Sequence, residues 1–219
     1  MTTMSRKRVA VLISGRGSNM RALIEAAKAK SYPAEIVVVI SNRPEAAGLG
    51  WARRQGLAAE AIDHKAFARR EDFEAQLHKA LSTAQVEIVC CAGFMRLMTA
   101  GFVEQWRGRM LNIHPSLLPS FKGLHTHERA LAAGVKIAGC TVHFVVPEMD
   151  SGPIVAQAAV PVLESDTPDS LAARILAAEH KLYPHALRLV ASGAARLEGD
   201  RVIVAKAVSQ AAQLFSPDL

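Results

Sequence analysis

The segment of residues 35–41, EIVVVIS, constrains the fold more than any other part of the chain. It is a nearly continuous run of apolar, mostly β-branched residues, which is typical of a parallel strand covered by helices on both faces. A similar strand, 8–14, precedes it, and residues 18–30 between them carry apolar side chains at helical spacing. The alternation continues with strands at 86–92 and 109–114. The sequence therefore predicts an α/β fold, a Rossmann-like, mostly parallel twisted sheet with helices on both faces.

The second half of the chain predicts a change in strand direction. Strands at 138–146 and 154–162 are separated by a link too short for a crossover helix, so we expect antiparallel strands toward the C-terminal half. A long helix should follow with Thr167 as its N-cap, and Pro184 should kink or divide it. A small hairpin should follow around residues 198–200. The remaining expected elements are a short strand at 59–63 and helices at 46–55, 70–82 and 99–106.

The domain organisation predicted from the sequence is a single domain over residues 1–219. We expect a phosphate-binding half at 7–110, a catalytic half at 111–195 and a variable tail at 196–219. Half of the residues are hydrophobic, yet no uninterrupted apolar run approaches the roughly 18 residues of a membrane span. The N-terminal segment lacks the apolar length of a signal peptide. We therefore expect a cytoplasmic protein with no membrane partner.

Charge and cysteine content narrow the function further. The net charge is +6, but the basic residues are scattered and aromatic residues make up only 5% of the chain, so we expect no nucleic-acid partner. An excess of positive charge also suits small anionic substrates. Cys90, Cys91 and Cys140 lie in apolar runs, which favours reduced cysteines that pack as small hydrophobic residues.

The loop SGRGSN, residues 14–19, lies between the first strand and the first helix, where α/β folds bind phosphate. It lacks the Gly-Lys-Ser/Thr ending of a Walker A loop. Met20 stands where a dinucleotide fingerprint has its third glycine, and no acidic residue follows the second strand. The loop therefore predicts a seat for a phosphate monoester, with donors from Ser18 and Asn19. A purely structural tight turn is the alternative.

The sequence NIH, residues 112–114, places Asn112 and His114 on the same face at the end of a strand. An amide donor beside an imidazole is what stabilisation of an oxyanion in acyl transfer requires. Asp150, in the turn PEMDSG, is a candidate third member that pairs with His114 and handles protons. The alternatives are a strand end with a hydrogen-bonded histidine and an ordinary turn aspartate.

Other chemistries are less well supported by the sequence. His114, His125 and His127 could bind zinc, but no carboxylate or cysteine stands at ligand spacing, so we expect no metal. There is no G-x-S-x-G motif for a serine nucleophile. A non-catalytic phosphate-binding module would explain the loop at 14–19 but not the Asn112, His114 and Asp150 set.

Four blocks in this order, SGRGSN, AGFMRL, NIHPSLLP followed by GLHTH, and DSGPI, resemble the folate-dependent phosphoribosylglycinamide formyltransferases. The resemblance covers about residues 7–190. It implies transfer of the formyl group of 10-formyltetrahydrofolate, a cosubstrate, to the amine of 5'-phosphoribosylglycinamide in purine biosynthesis. Another 10-formyltetrahydrofolate-dependent formyltransferase or hydrolase is the alternative. Only small-molecule substrates are implied as partners, and we expect a monomer or a homodimer.

The resemblance also implies roles for individual residues. The catalytic set would be Asn112, His114 and Asp150. The residues that would bind the phosphoribosylglycinamide substrate are Gly17, Ser18, Asn19 and Glu179. The residues that would contact the folate are Arg70, Met95, Arg96, Leu97, Met98, Asn112, Val146 and Asp150.

Overall fold

The computed structural model describes residues 6–205 and Ser216. Its strands are β1 (Lys7–Ile13), β2 (Ala34–Ser41), β3 (Ala58–Ala61), β4 (Ile88–Cys91), β5 (Met110–His114), β6 (Ile137–Phe144), β7 (Ile154–Pro161), β8 (Ala195–Glu198) and β9 (Arg201–Val204). Its α-helices are α1 (Ser18–Ala27), α2 (Ala47–Arg54), α3 (Arg70–Thr83), α4 (Ala100–Gln105), α5 (Thr126–Ala132) and α6 (Pro168–Ala191).

The main sheet has the strand order β3-β2-β1-β4-β5-β6-β7. Strands β3, β2, β1, β4 and β5 are parallel to one another, as predicted. Strand β6 is antiparallel to both β5 and β7, which confirms the predicted change of direction. The carboxyl ends of β1, β4 and β5 therefore meet at one edge of the sheet, where open α/β sheets bind their ligands.

Two hydrophobic clusters cover the faces of this sheet. One joins the sheet to α1, α2, α5 and α6, and it contains the largest buried side chain of α6, Tyr183. The other joins the sheet to α3 and α4 through Phe73, Leu77 and Phe102. Burial on both faces explains the continuous apolar runs of β1 and β2.

Helix α6 is a single uninterrupted helix from Pro168 to Ala191, so the prediction that Pro184 could divide it is wrong. A proline inside a helix removes one backbone hydrogen bond. Tertiary contacts hold the helix on both sides of that gap. The buried Tyr183 hydroxyl lies 3.0 Å from the Cys91 carbonyl and 3.1 Å from that of Leu111, and Tyr32 donates to the Pro184 carbonyl. Thr167 is the N-cap, as predicted, in a reciprocal capping box with Ser170.

Helix α5 is an element that the sequence did not predict. Its N-cap, His125, makes no side-chain capping bond. The predicted C-terminal hairpin is confirmed as β8 and β9. Most of the predicted variable tail lies outside the described residues. No helix within 6–205 is both long and apolar enough to cross a membrane.

Candidate active site

Strand β5 presents two polar side chains on one face of the sheet. Leu111 and Ile113 point into the cluster beneath α6. Because side chains alternate along a strand, Asn112 and His114 point to the opposite face. His114 is buried and Asn112 is partly buried. The predicted pair is therefore brought together at the carboxyl end of a central strand.

The two ring nitrogens of His114 both face hydrogen-bond acceptors. Nε2 lies 3.0 Å from the backbone carbonyl of Phe121, and Nδ1 lies 3.4 Å from Oδ2 of Asp150. A carbonyl oxygen can only accept, so Nε2 carries a proton. The pair is almost closed to solvent, with exposed side-chain fractions of 7% for His114 and 10% for Asp150.

Asp150 reaches His114 by a route that the sequence did not indicate. Because β6 is antiparallel to β5, its last residue, Phe144, pairs with Leu111 near the start of β5. The loop after Phe144 runs back along β5 toward His114. It has to cover only the distance from Leu111 to His114, about 10 Å along the strand. Asp150 adopts a left-handed backbone (φ 51), and its Oδ2 accepts the backbone N–H of Gly123 at 2.8 Å. The carboxylate is thus fixed from two sides.

His143 is a member of the site that the sequence analysis missed. It pairs with Asn112 across β5 and β6, and its Nε2 lies 3.2 Å from the Asn112 amide nitrogen. The same Nε2 lies 3.8 Å from Oδ1 of Asp150. Desolvation by burial lowers the pKa of His143, and Asp150 offsets only part of that effect. The ring is therefore neutral near pH 7.

The proline-rich turn after β5 is held by Thr141 on β6. The Thr141 hydroxyl donates to the Ser116 carbonyl at 2.7 Å and accepts from the Leu118 N–H and the Gln157 amide. These three bonds use the full capacity of a hydroxyl group. The turn that follows His114 is therefore rigid, which fixes the direction in which the strand delivers its polar side chains.

The loop of residues 14–19 has the geometry of an anion seat. Helix α1 begins at Ser18 with Gly17 as a left-handed N-cap (φ 70), and no side chain among the described residues caps its first N–H groups. Helix α2 closes the loop from behind, where the Gly48 N–H donates to the Gly15 carbonyl at 3.1 Å. A Cβ at Gly48 would lie 3.0 Å from that carbonyl oxygen. Glycine is required for this close approach.

Asn19 and Glu179, which are 160 positions apart, contact each other beside this loop. The Asn19 amide donates to Oε2 of Glu179 at 2.6 Å, and both side chains are buried. Burial raises the pKa of Glu179, and the bond from Asn19 lowers it in part. The side chain of Asn19 is thus committed to Glu179 in this structure, while its backbone N–H belongs to the first turn of α1. The oxygen of the Asn19 amide is buried with no hydrogen-bond partner among the described residues.

The loop of residues 93–98 lies next to the loop of residues 14–19. The Ser14 hydroxyl accepts the Met95 N–H at 2.8 Å and donates to Asn42, which ties the two loops together. Met95 and Leu97 are 58% and 60% exposed, an unusual exposure for large apolar side chains that suits an apolar ligand. The loop is fixed at its other end, where the buried Glu74 carboxylate accepts from Thr99.

The remaining predicted folate contacts differ in how firmly the structure fixes them. Met98 packs against the α3–α4 cluster, and the Nε of Arg96 is buried with no partner among the described residues. Arg70 is exposed at the first turn of α3, and Val146 is half-buried just after β6. Neither Arg70 nor Val146 shares a hydrogen bond with the other predicted site residues in the part of the chain that the structure describes.

Metal binding by histidines and nucleophilic attack by a cysteine are the two alternative chemistries. His125 is exposed with its Nδ1 3.5 Å from Glu128, and no group of three or more His, Cys, Asp or Glu residues within 6–205 has the arrangement of a metal site. The three cysteines are buried with free thiols, and desolvation raises the pKa of Cys91 and Cys140 to about 12. Protonated buried thiols are poor nucleophiles.

A mostly parallel α/β sheet whose carboxyl edge brings together an amide, an imidazole and a carboxylate has the groups that acyl transfer requires. The family model described as formyl transferase matches residues 7–187. The chain belongs to this formyl transferase family, as the four sequence blocks indicated.

Individual relatives narrow the comparison further. The chain is 41% identical to phosphoribosylglycinamide formyltransferase of Escherichia coli, over 89% of this chain and 95% of that protein. It is 52% identical to the trifunctional purine biosynthetic protein adenosine-3 of Bos taurus, but spans only about a fifth of that protein's length, 19%. Among solved structures, phosphoribosylglycinamide formyltransferase from Brucella melitensis is 55% identical, with a TM-score of 0.83 over 86% of this chain and 97% of that chain. Glycinamide ribonucleotide transformylase 1 from Symbiobacterium toebii is 48% identical, with a TM-score of 0.88 over 91% and 94% of the two chains.

Glu179→Gln should stabilise the fold near neutral pH. The raised pKa of Glu179 means that folding favours its protonated form, so this residue costs stability as the pH rises above the ordinary glutamate value. Glutamine keeps an acceptor for Asn19 and removes the buried charge. We expect the melting temperature to rise by about 2–4 °C near pH 7 and to converge with the wild type near pH 4. Scanning calorimetry across this pH range measures it, with the exposed Glu45→Gln as a control. A lower melting temperature at neutral pH would contradict the assignment.

Proposed function

We propose that this protein transfers the formyl group of 10-formyltetrahydrofolate to the amine of 5'-phosphoribosylglycinamide. The products are formylglycinamide ribonucleotide and tetrahydrofolate, a step of purine biosynthesis. The observation that carries the proposal is the buried cluster of Asn112, His114 and Asp150 at the carboxyl end of β5. The names of the relatives that match nearly their whole length support the same reaction.

The reaction requires stabilisation of a developing negative oxygen. The amine attacks the formyl carbon, the new N–C bond forms, and the carbonyl oxygen of the tetrahedral intermediate becomes negative. The Asn112 amide donates an N–H to this oxygen, an interaction of about 3 kcal/mol in comparable acyl-transfer sites. Both nitrogens of His114 are directed at Phe121 and Asp150, so its ring holds the Asp150 carboxylate in place and does not itself donate to the oxyanion in this arrangement.

Proton transfer completes the reaction. The attacking amine must lose a proton, and N10 of the folate must gain one as its bond to the formyl carbon breaks. Asp150 is the group suited to relay this proton, because its carboxylate faces both His114 and His143 and is almost closed to solvent. The folate carries the formyl group, and the protein supplies position and electrostatics.

The two substrates are assigned to the two loops that Ser14 joins. The ribose phosphate fits the start of α1 at Gly17, Ser18 and Asn19, through backbone N–H groups. Glu179, next to Asn19, is then close to the same substrate. The exposed apolar side chains of Met95 and Leu97 suit the pterin ring. The other proposed folate contacts are Arg70, Arg96, Met98, Asn112, Val146 and Asp150.

The experiment that tests the proposal follows the absorbance of a 10-formyl folate mixed with the protein and 5'-phosphoribosylglycinamide. We expect conversion that depends on the amine substrate and falls sharply with the dephosphorylated nucleoside. Conversion at the same rate without any amine would identify a hydrolase instead. No conversion under any of these conditions would refute the proposal.

Gly17→Asp and Gly17→Asn form a matched pair that tests the phosphate seat. Both residues tolerate the left-handed backbone at this position better than most, and they have nearly the same size, so their difference isolates a negative charge. We expect Gly17→Asp to raise the KM for 5'-phosphoribosylglycinamide at least about tenfold more than Gly17→Asn does. The KM for the folate should change little in either variant. If the two variants changed the KM values of both substrates equally, the phosphate would bind elsewhere.

A further inference from the structure

His143 is a buried titratable member of the site to which the proposed oxyanion contact and proton relay assign no role. It lies on β6 opposite Asn112, and its side chain is only 3% exposed. Its Nδ1 lies 2.9 Å from the carbonyl of Phe144, and its Nε2 lies 3.2 Å from the Asn112 amide nitrogen. The ring therefore connects a backbone carbonyl to the side-chain amide that faces the reaction.

These two contacts decide the tautomer of His143. The Phe144 carbonyl can only accept, so Nδ1 carries the proton. Burial lowers the pKa of the ring despite nearby Asp150, and the charge of His114 acts in the same direction as burial. In a neutral ring with its proton on Nδ1, Nε2 can only accept. Asn112 must therefore present its NH₂ group to His143, since its oxygen would meet a lone pair.

The backbone around His143 is built to hold this arrangement. A register shift between Val142 and His143 interrupts the pairing of β6 with β7. The Phe144 N–H donates to the Pro153 carbonyl at 2.9 Å. Gly152 packs on the Phe144 carbonyl so closely that a Cβ would lie 1.7 Å from its oxygen and 3.2 Å from His143 Nδ1. The carbonyl that fixes the tautomer is thus itself fixed.

We propose that His143 is a positioning residue that sets the orientation of the Asn112 amide. One N–H of that amide is held by Nε2 of His143, so the second N–H is directed at the developing oxyanion. If the amide turned over, its oxygen would take the place of this donor. The inference rests on the formyl transfer proposed above, because it assigns the oxyanion contact to Asn112.

A set of variants separates positioning from a merely structural role. His143→Leu removes the acceptor, and we expect kcat to fall by roughly tenfold to a hundredfold with little change in either KM. His143→Gln places a carbonyl oxygen near the position of Nε2 and should recover part of that loss. In the Asn112→Ala background, adding His143→Leu should lower kcat by less than about twofold, because the amide that His143 orients is already absent. The exposed His185→Gln serves as a histidine control.

The pH profile adds a readout that packing alone would not move. Protonation of His143 turns Nε2 into a donor and releases the amide, so kcat should fall at acid pH with a midpoint below the ordinary histidine value. In His143→Gln this acid-side fall should disappear. Equal losses from His143→Leu with and without Asn112, or an acid limb unchanged in His143→Gln, would overturn the proposal.

A measurement without catalysis keeps this inference separate from the proposed function. In ¹⁵N-labelled wild-type protein at pH 7, Nε2 of His143 should resonate as an unprotonated nitrogen and Nδ1 as a protonated one. A coupling across the hydrogen bond from the Asn112 amide should be detectable. A protonated Nε2 would refute the inference even in an active enzyme. The expected spectrum without formyl transfer would refute only the function.

Discussion

Asp150→Asn should lower kcat for formyl transfer by about 10³-fold, one of the two largest effects we expect. Asp150 is the negative group that faces His114 at 3.4 Å and His143 at 3.8 Å in a site nearly closed to solvent. A neutral amide supplies no negative charge beside the two histidines and cannot accept a relayed proton. Stopped-flow measurement of a single turnover isolates this chemical step from product release.

Asp150→Asn should leave the fold unchanged, because asparagine is compatible with the backbone at this position. Asp150 has a left-handed φ of 51, which asparagine adopts at least as readily. The oxygen of the new amide can still accept the Gly123 N–H, so the melting temperature should change little. Asp200→Asn, in the exposed turn between β8 and β9, is the matched control and should retain full turnover. A near wild-type kcat in Asp150→Asn would leave Asp150 as a turn residue only.

Asn112→Asp should reduce kcat still more than Asn112→Ala does. The alanine variant loses a hydrogen-bond donor, and we expect its kcat to fall by about 10²-fold. The aspartate variant also adds a negative charge where the oxyanion forms. That charge would face the lone pair of His143 Nε2 and share the pocket with Asp150. We expect a loss of at least about 10³-fold in Asn112→Asp. Single-turnover rates for the two variants at one pH measure the difference.

The difference between the two variants is the informative quantity. Nearly equal rates would mean that no negative charge develops beside Asn112 in the transition state. Combined with Asp150→Asn, either substitution should cost much less than the product of the single losses, because these groups act as one unit. Multiplicative losses would contradict a shared site.

Most of the sheet could be predicted from the sequence because its signals are local. The apolar runs of β1 and β2 mark strands buried on both faces, and the short link between β6 and β7 requires antiparallel pairing. Helix α5 was missed because it is short and its N-cap, His125, makes no side-chain capping bond. The continuity of α6 through Pro184 depends on tertiary contacts such as those of Tyr183, which no local pattern reveals.

The site shows the same division between local and distant information. Asn112 and His114 could be paired from the alternation along one strand. The contact of His143 with Asn112 depends on the register of β5 with β6. The contact of Asn19 with Glu179 joins two residues, on α1 and α6, that are 160 positions apart. An isolated histidine within an apolar strand gave no signal that it contacts the site. Such contacts become visible only when the sheet is assembled.

The measurement that tests the central claim most directly follows the formyl carbon itself. The protein is mixed with 10-[¹³C]formyl folate and 5'-phosphoribosylglycinamide, and the products are identified by mass spectrometry and ¹³C NMR. We predict that the label appears in the amide of formylglycinamide ribonucleotide, in an amount equal to the folate consumed, and that Asn112→Ala slows its appearance strongly. Label recovered as free formate, or on no product at all, would contradict the account.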